Sequence, residues 1–116
     1  MKIKICKHKN KWIWGKTIYL IVNSGIGIVS LSLDNNYPGI CFLSGLSVVE
    51  DHRKKGYGNR LLGLAEQEAK DNGCTEIILS CEKNTFVPEW YKRHGYELLE
   101  GKKIQDTEYY TLTKKL

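Results

Sequence analysis

The chain opens with lysines alternating with Ile3 and Ile5 as far as Lys7, the period-2 pattern of a half-buried strand. A short polar and aromatic link through Trp12 and Trp14 follows. Residues 16–23 and 26–33 are rich in β-branched and aliphatic side chains and meet at Ser24 and Gly25, which signals a hairpin. Asp34, Asn35, Asn36, Pro38 and Gly39 mark a second turn, after which residues 40–49 form a long apolar run. The first 49 residues therefore predict an antiparallel meander.

After Val49 the period changes. From Asn59 it is helical, with Leu61, Leu62, Ala65 and Ala69 on or near one face, and Asn72 and Gly73 supply a stop. Residues 76–81 form a short buried strand centred on Ile77, Ile78 and Leu79. Strand, crossover helix and strand imply a parallel pair with a right-handed connection. Pro88 suits the first turn of a second helix that Gly95 ends, and residues 96–100 and 108–113 close the chain as two strands.

A length of 116 residues holds one core, so a single domain over residues 1–116 is expected. Hydrophobic residues make up 41% and charged residues 27%, the balance of a soluble globular protein. Lys2, Lys4, Lys7, Lys9 and Lys11 break every apolar run near the start, which argues against a secretory leader. The longest apolar stretch, 18–33, is interrupted by Asn23, Ser24, Gly25, Ser30 and Ser32 and does not suit a membrane span. The expectation is a cytoplasmic protein with no membrane partner.

The net charge of +5 is unevenly placed: residues 1–16 carry six lysines and no acid, while the remainder is nearly neutral. A solvated face explains such a run; an adaptor for nucleic acid or an acidic partner is the alternative and ranks last, because no nucleic-acid motif is present. Cys6, Cys41, Cys74 and Cys81 have no CxxC spacing, and the histidines complete no zinc pattern, so no metal is expected. Cys6, Cys41 and Cys81 fall in strand-like runs and read as buried free thiols.

Chemistry concentrates where a strand passes into a helix, at Arg53, Lys54, Lys55, Gly56, Tyr57 and Gly58. The first turn of a helix leaves amide N–H groups unpaired and partly positive, so it attracts anions. Gly56 and Gly58 let a phosphate approach the backbone, and three cations surround the same point. A pyrophosphate is the natural ligand.

Arg53-x-x-Gly56-x-Gly58, between an apolar strand and a leucine-rich helix, resembles the pyrophosphate-binding motif of the GNAT superfamily of N-acetyltransferases. That family's second signature is an Asn, a Tyr seven residues on, and a Gly and an aromatic four residues later. Asn84, Tyr91, Gly95 and Tyr96 stand at those offsets, with Val87 where the family has a small residue. The resemblance runs from Ile40 to the C-terminus. It implies an α/β (α+β) fold: a mixed, mostly antiparallel twisted sheet with a parallel, splayed central strand pair and two main helices. It implies acetyl-CoA as acyl donor and an amine as acceptor, with a homodimer as a possible assembly.

The resemblance also implies roles. Leu46, Ser47 and Val48 would pair with the pantetheine arm through their backbone and polarise the acyl carbonyl. Arg53, Lys54, Lys55, Gly56, Tyr57, Gly58 and Asn59 would hold the pyrophosphate, and Asn84 the amide arm. Tyr91 would protonate the departing thiolate; its other reading is a core aromatic beside Trp90. No acid lies within 40–49, where relatives often carry a basic Glu, leaving Glu82, Asp51, His52 or a water relay as candidates. The family's helices between its first two strands are missing, since only residues 8–15 lie between the candidate strands. The acceptor side would then be open, or completed by Trp12, Trp14 or another subunit. A module that binds coenzyme A or a partner without turnover is the alternative function.

Overall fold

A computed structural model describes residues 3–116. Seven strands form one sheet in the order β1-β2-β3-β4-β5-β7-β6: β1 (Ile5–Trp12), β2 (Gly15–Val22), β3 (Gly27–Asp34), β4 (Ile40–Val48), β5 (Glu76–Glu82), β6 (Glu97–Ile104) and β7 (Thr107–Lys115). Helix α1 (Tyr57–Asp71) connects β4 to β5 and helix α2 (Val87–Arg93) follows β5. All neighbouring strands are antiparallel except β4 and β5. The mixed sheet, the splayed parallel pair and the two helices agree with the expected fold.

Alternation along the strands decides what is buried. Ile18, Leu20 and Val22 of β2, Val29 and Leu31 of β3, Ile77 and Leu79 of β5 and Leu112 of β7 point at the helices. Leu61, Leu62, Ala65 and Ala69 meet them from α1. Each fully buried aliphatic side chain of this kind contributes about 1.5–3 kcal/mol. The end of α2 meets the start of α1, where His94 just past α2 reaches Asn59. The opposite face of the sheet carries no helix. There, cross-strand hydroxyls satisfy one another: Thr17 with Ser32 at 3.1 Å, Ser30 with Ser44 at 2.8 Å and Ser80 with Thr111 at 3.5 Å. Such a face can meet water without leaving polar groups unpaired.

The N-terminal reading needs correction. The first strand runs over Ile5–Trp12 rather than 1–7, and every residue of it is exposed; Met1 and Lys2 lie outside the described residues. The supposed link is itself strand, and it turns into β2 through Ile13 and Trp14 alone, with Trp12 paired to Gly15. β1 is the sheet edge, so half-burial by alternation never applies to it. Cys6 is exposed for the same reason, against the expectation of a buried thiol. Cys41 and Cys74 are buried and Cys81 is half-buried. Helix α1 starts at Tyr57, two residues before its hydrophobic period becomes visible, and the last two strands are longer than expected.

Candidate functional site

β4 and β5 pair only at Ile40–Glu76, Cys41–Ile77 and Phe42–Ile78. Beyond them β5 stays with β7 as far as Glu82–Tyr109, while β4 stays with β3 as far as Val48–Gly27. The two central strands therefore part. The cause lies in β4. Between the pairs Ser30–Ser44 and Ile28–Ser47, β4 contains one residue more than β3. That is a β-bulge, with Gly45 in the left-handed region at φ 64°. A bulge bends the strand that carries it, and here it bends β4 off its neighbour.

A cleft of about 820 Å³ fills the wedge. Leu46, Ser47 and Val48 form its β4 side. Arg53, Lys54, Gly56, Gly58 and Asn59 form its loop and α1 side. Phe86, Val87, Trp90, Tyr91 and Arg93 close it from α2 and the turn before it. Three of these side chains are cationic, and no carboxylate or imidazole is among them.

The start of α1 carries no side-chain cap, and Gly56 occupies the N-cap of the helix with φ 86°. The N–H groups of its first turn are thus left for a ligand. Lys54 also adopts positive φ, at 61°, a conformation that costs a non-glycine residue roughly 1–2 kcal/mol. Arg53 Nε donates to the Val48 carbonyl at 2.9 Å, tying the loop to the end of β4. A Cβ on Gly58 would stand 3.4 Å from Trp90, so the start of α1 already touches the middle of α2 there.

Tyr91 is 6% exposed and packs edge-on to Trp90 and Tyr96, with ring centroids at 5.0 and 5.3 Å. Burial, helped by the nearby Cys81 thiol, pushes its phenol up to about 12. The phenol stays protonated throughout the physiological range.

Nine of the twelve residues singled out in the sequence line the cleft: Leu46, Ser47, Val48, Arg53, Lys54, Gly56, Gly58, Asn59 and Tyr91. Lys55, Tyr57 and Asn84 do not. Lys55 is exposed. Tyr57 packs against the core; its ring stands edge-on to His52 and its hydroxyl accepts a bond from Asn23 Nδ2 at 3.5 Å. Asn84 is exposed in the turn after β5, which Thr85 closes by donating to the Glu82 carbonyl and accepting from Val87 N–H. The Asn59 side chain is engaged with His94 Nε2 at 3.0 Å, so its backbone is the part offered to the cleft. Glu82, Asp51 and His52 all lie outside the cleft lining, and His52 Nδ1 is buried without a hydrogen-bond partner among the described residues.

The sequence reading missed Gly45, Phe86, Val87 as a lining residue, Trp90 as a wall and Arg93. A glycine inside an apolar strand is a bulge signal, so Gly45 was findable. The others required knowing which face α2 turns to α1.

The sequence model of the Acetyltransferase (GNAT) family matches residues 6–96. This chain belongs to that family. Among similar proteins, GCN5-related N-acetyltransferase 4, chloroplastic, of Arabidopsis thaliana is 36% identical over 63 residues, 53% of this chain and 22% of that protein. Streptothricin acetyltransferase A of Bacillus subtilis (strain 168) is 29% identical over 80 residues, 68% of this chain and 45% of that protein. The chain thus spans less than half the length of these curated relatives. The fold is shared with the PaiA N-acetyltransferase of Thermoplasma acidophilum, solved in complex with coenzyme A, at a TM-score of 0.68 and 20% identity; the match covers 86% of this chain and 60% of that one. In this GNAT chain the first two strands are joined by a two-residue turn with no helix between them, as the short spacing in the sequence implied.

Proposed function

We propose that this chain is an N-acyltransferase that moves an acetyl group from acetyl-CoA to an amine. The observation that carries the reading is the meeting, in one cleft, of a parted parallel strand pair, an uncapped helix start ringed by cations, and a buried phenol. The complex of the Thermoplasma relative with coenzyme A supports the donor.

In this reading the N–H groups at Gly56, Tyr57, Gly58 and Asn59 take the pyrophosphate, with Arg53, Lys54 and Lys55 supplying charge. The β4 edge at Leu46, Ser47 and Val48 that β5 leaves uncovered accepts the pantetheine arm as an added strand, and an N–H there holds the carbonyl oxygen as negative charge develops on it. The amine nitrogen attacks the thioester carbonyl, the carbon–sulfur bond breaks, and Tyr91 gives the departing sulfur its proton. The attacking nitrogen sheds its proton to water, since no carboxylate or imidazole lines the cleft, and the Tyr91 phenolate takes a proton back from water. Asn84, on its exposed turn, reaches the cofactor only along the rim.

Isothermal titration with acetyl-CoA, run beside Gly56→Glu, tests this. Saturable binding by the native chain that disappears in the variant is expected; no binding by the native chain at millimolar cofactor overturns the reading. The cleft's lack of any acid favours a second reading, a coenzyme A-binding module without turnover. Binding together with a failure to acetylate any of a broad amine panel, and no change on Tyr91→Phe, would select it.

A further inference from the structure

The hairpin that replaces the expected helices has an unusual tip. Its two turn residues are Ile13 and Trp14, and the preceding Trp12 closes the last strand pair. Ile13 is 83% exposed, Trp14 57% and Trp12 40%. The tip is held rigidly: the Trp14 carbonyl accepts from Asn35 N–H at 2.6 Å, and Trp12 Nε1 donates to Thr17 at 3.2 Å. Tyr37, also exposed, stands in the adjoining β3–β4 turn, whose Asp34 is occupied by Asn36. Folding thus holds large apolar side chains in water at a protruding point.

Behind that tip lysines line one face of the hairpin, the face turned to α1, whereas Trp12 lies on the other with Thr17. Lys11 and Lys16 face each other directly across β1 and β2, and Lys9 lies on the same side two residues back. Like charges directly opposite are destabilising. Lys7 is neutralised by Glu68 at 2.7 Å, whereas Lys9, Lys11 and Lys16 make no ion pair among the described residues.

We propose that the β1–β2 hairpin docks this protein on an anionic lipid bilayer surface, with Trp12, Ile13 and Trp14 in the interfacial layer and Lys9, Lys11 and Lys16 against the headgroups. Tryptophan and tyrosine favour that layer because one part of each ring system is apolar and another hydrogen-bonds, and lysines add attraction to anionic lipid. A protein partner fits less well. The tip offers a few exposed apolar side chains, whereas a stable interface buries roughly 800 Å² per partner. A nucleic acid would use the lysines and stack on the tryptophans, but would leave Ile13, the most exposed of the three, in water. The attachment is peripheral; no helix among the described residues is long and apolar enough to cross a membrane. The tip lies beside the start of β4, whereas the cleft opens at its far end, so docking leaves the cleft accessible.

Flotation with phosphatidylcholine vesicles, with and without phosphatidylserine, tests the proposal. The protein is expected to float with the phosphatidylserine-containing vesicles and to be released by salt. Ile13→Asp is expected to weaken partitioning by about tenfold or more, and Lys11→Glu by about fivefold or more. Both variants should keep the native circular dichroism spectrum. Brominated lipids should quench the emission, and Trp12→Phe/Trp14→Phe, which leaves Trp90 as the one tryptophan, should abolish that quenching. No flotation with anionic vesicles overturns the proposal. So does flotation unchanged by Ile13→Asp, or tighter binding to a single-stranded oligonucleotide without bromolipid quenching.

Discussion

Arg53 Nε donates to the Val48 carbonyl at 2.9 Å, so the first residue of the glycine loop is fastened to the last residue of β4. One side chain thereby sets the distance between the strand that would hold the acyl arm and the helix start that would hold the phosphates. It keeps further guanidinium N–H groups for an anion. Arg53→Lys retains the charge and loses the Nε geometry. We expect it to weaken acetyl-CoA binding by about tenfold, near the value of one charge-assisted hydrogen bond, and Arg53→Ala to weaken it further. Calorimetric titration of both variants checks the order; equal affinity for Arg53→Lys and the native chain would show that charge alone matters.

Lys54 sits at φ 61°, where glycine is at ease and lysine is not. Lys54→Gly should therefore raise stability by about 1 kcal/mol, less the gain in unfolded-state freedom. It removes a cleft cation at the same time, so acetyl-CoA affinity should fall severalfold. Thermal melts and titration on one preparation read both quantities. A variant that loses stability would remove strain from the account of this loop.

The Tyr91 phenol, pushed up to about 12 by burial, remains protonated at every pH an assay can use. If Tyr91 is the proton donor, Tyr91→Phe should lower kcat by about 100-fold or more with little change in acetyl-CoA affinity. The native pH–rate profile should show no falling limb from Tyr91 between pH 7 and about 11. A falling limb near pH 9 that vanishes in Tyr91→Phe would place the ionisation elsewhere than this burial requires.

Cys41 is fully buried, and burial, reinforced by the adjacent Cys74, raises its thiol from 9.0 to about 12. The unfolded chain ionises this thiol first, so it binds fewer protons than the folded chain over that interval. Stability then falls as pH rises from about 9 to about 12 and is unaffected below. Cys41→Ala should be less stable at neutral pH because of the cavity, by about 1–2 kcal/mol, yet decline less steeply above pH 9. Parallel slopes for the two proteins in urea titrations across that range would contradict this.

Local signals in the sequence carried much of the site. Gly56 ahead of a leucine-rich run marks an uncapped helix start from neighbouring residues alone, because helix termini follow from backbone conformation and hydrogen bonding a few residues apart. Pro88 and Gly95 bounded a short helix around Tyr91 for the same reason. The β-rich runs 16–23 and 26–33 and the turn at Ser24 and Gly25 identified the β2–β3 hairpin, again from residues close in the chain.

Tertiary structure decided what depends on partners distant in the chain. Gly45 becomes a bulge, and the bulge becomes a cleft, through the pairing of β4 with β3 and its loss of β5. Cys6 is exposed, and residues 8–12 are strand rather than link, because β1 lies at the sheet's edge with a neighbour on one side only. The side chains of Tyr57 and Asn59 are taken by Asn23 and His94, 34 and 35 residues away. The sequence by itself determined which residues could bury apolar surface, cap a helix or donate a proton, since those are properties of single side chains and short spacings. Which of them share a wall depended on strand order and helix packing, which bring together groups that no local pattern connects.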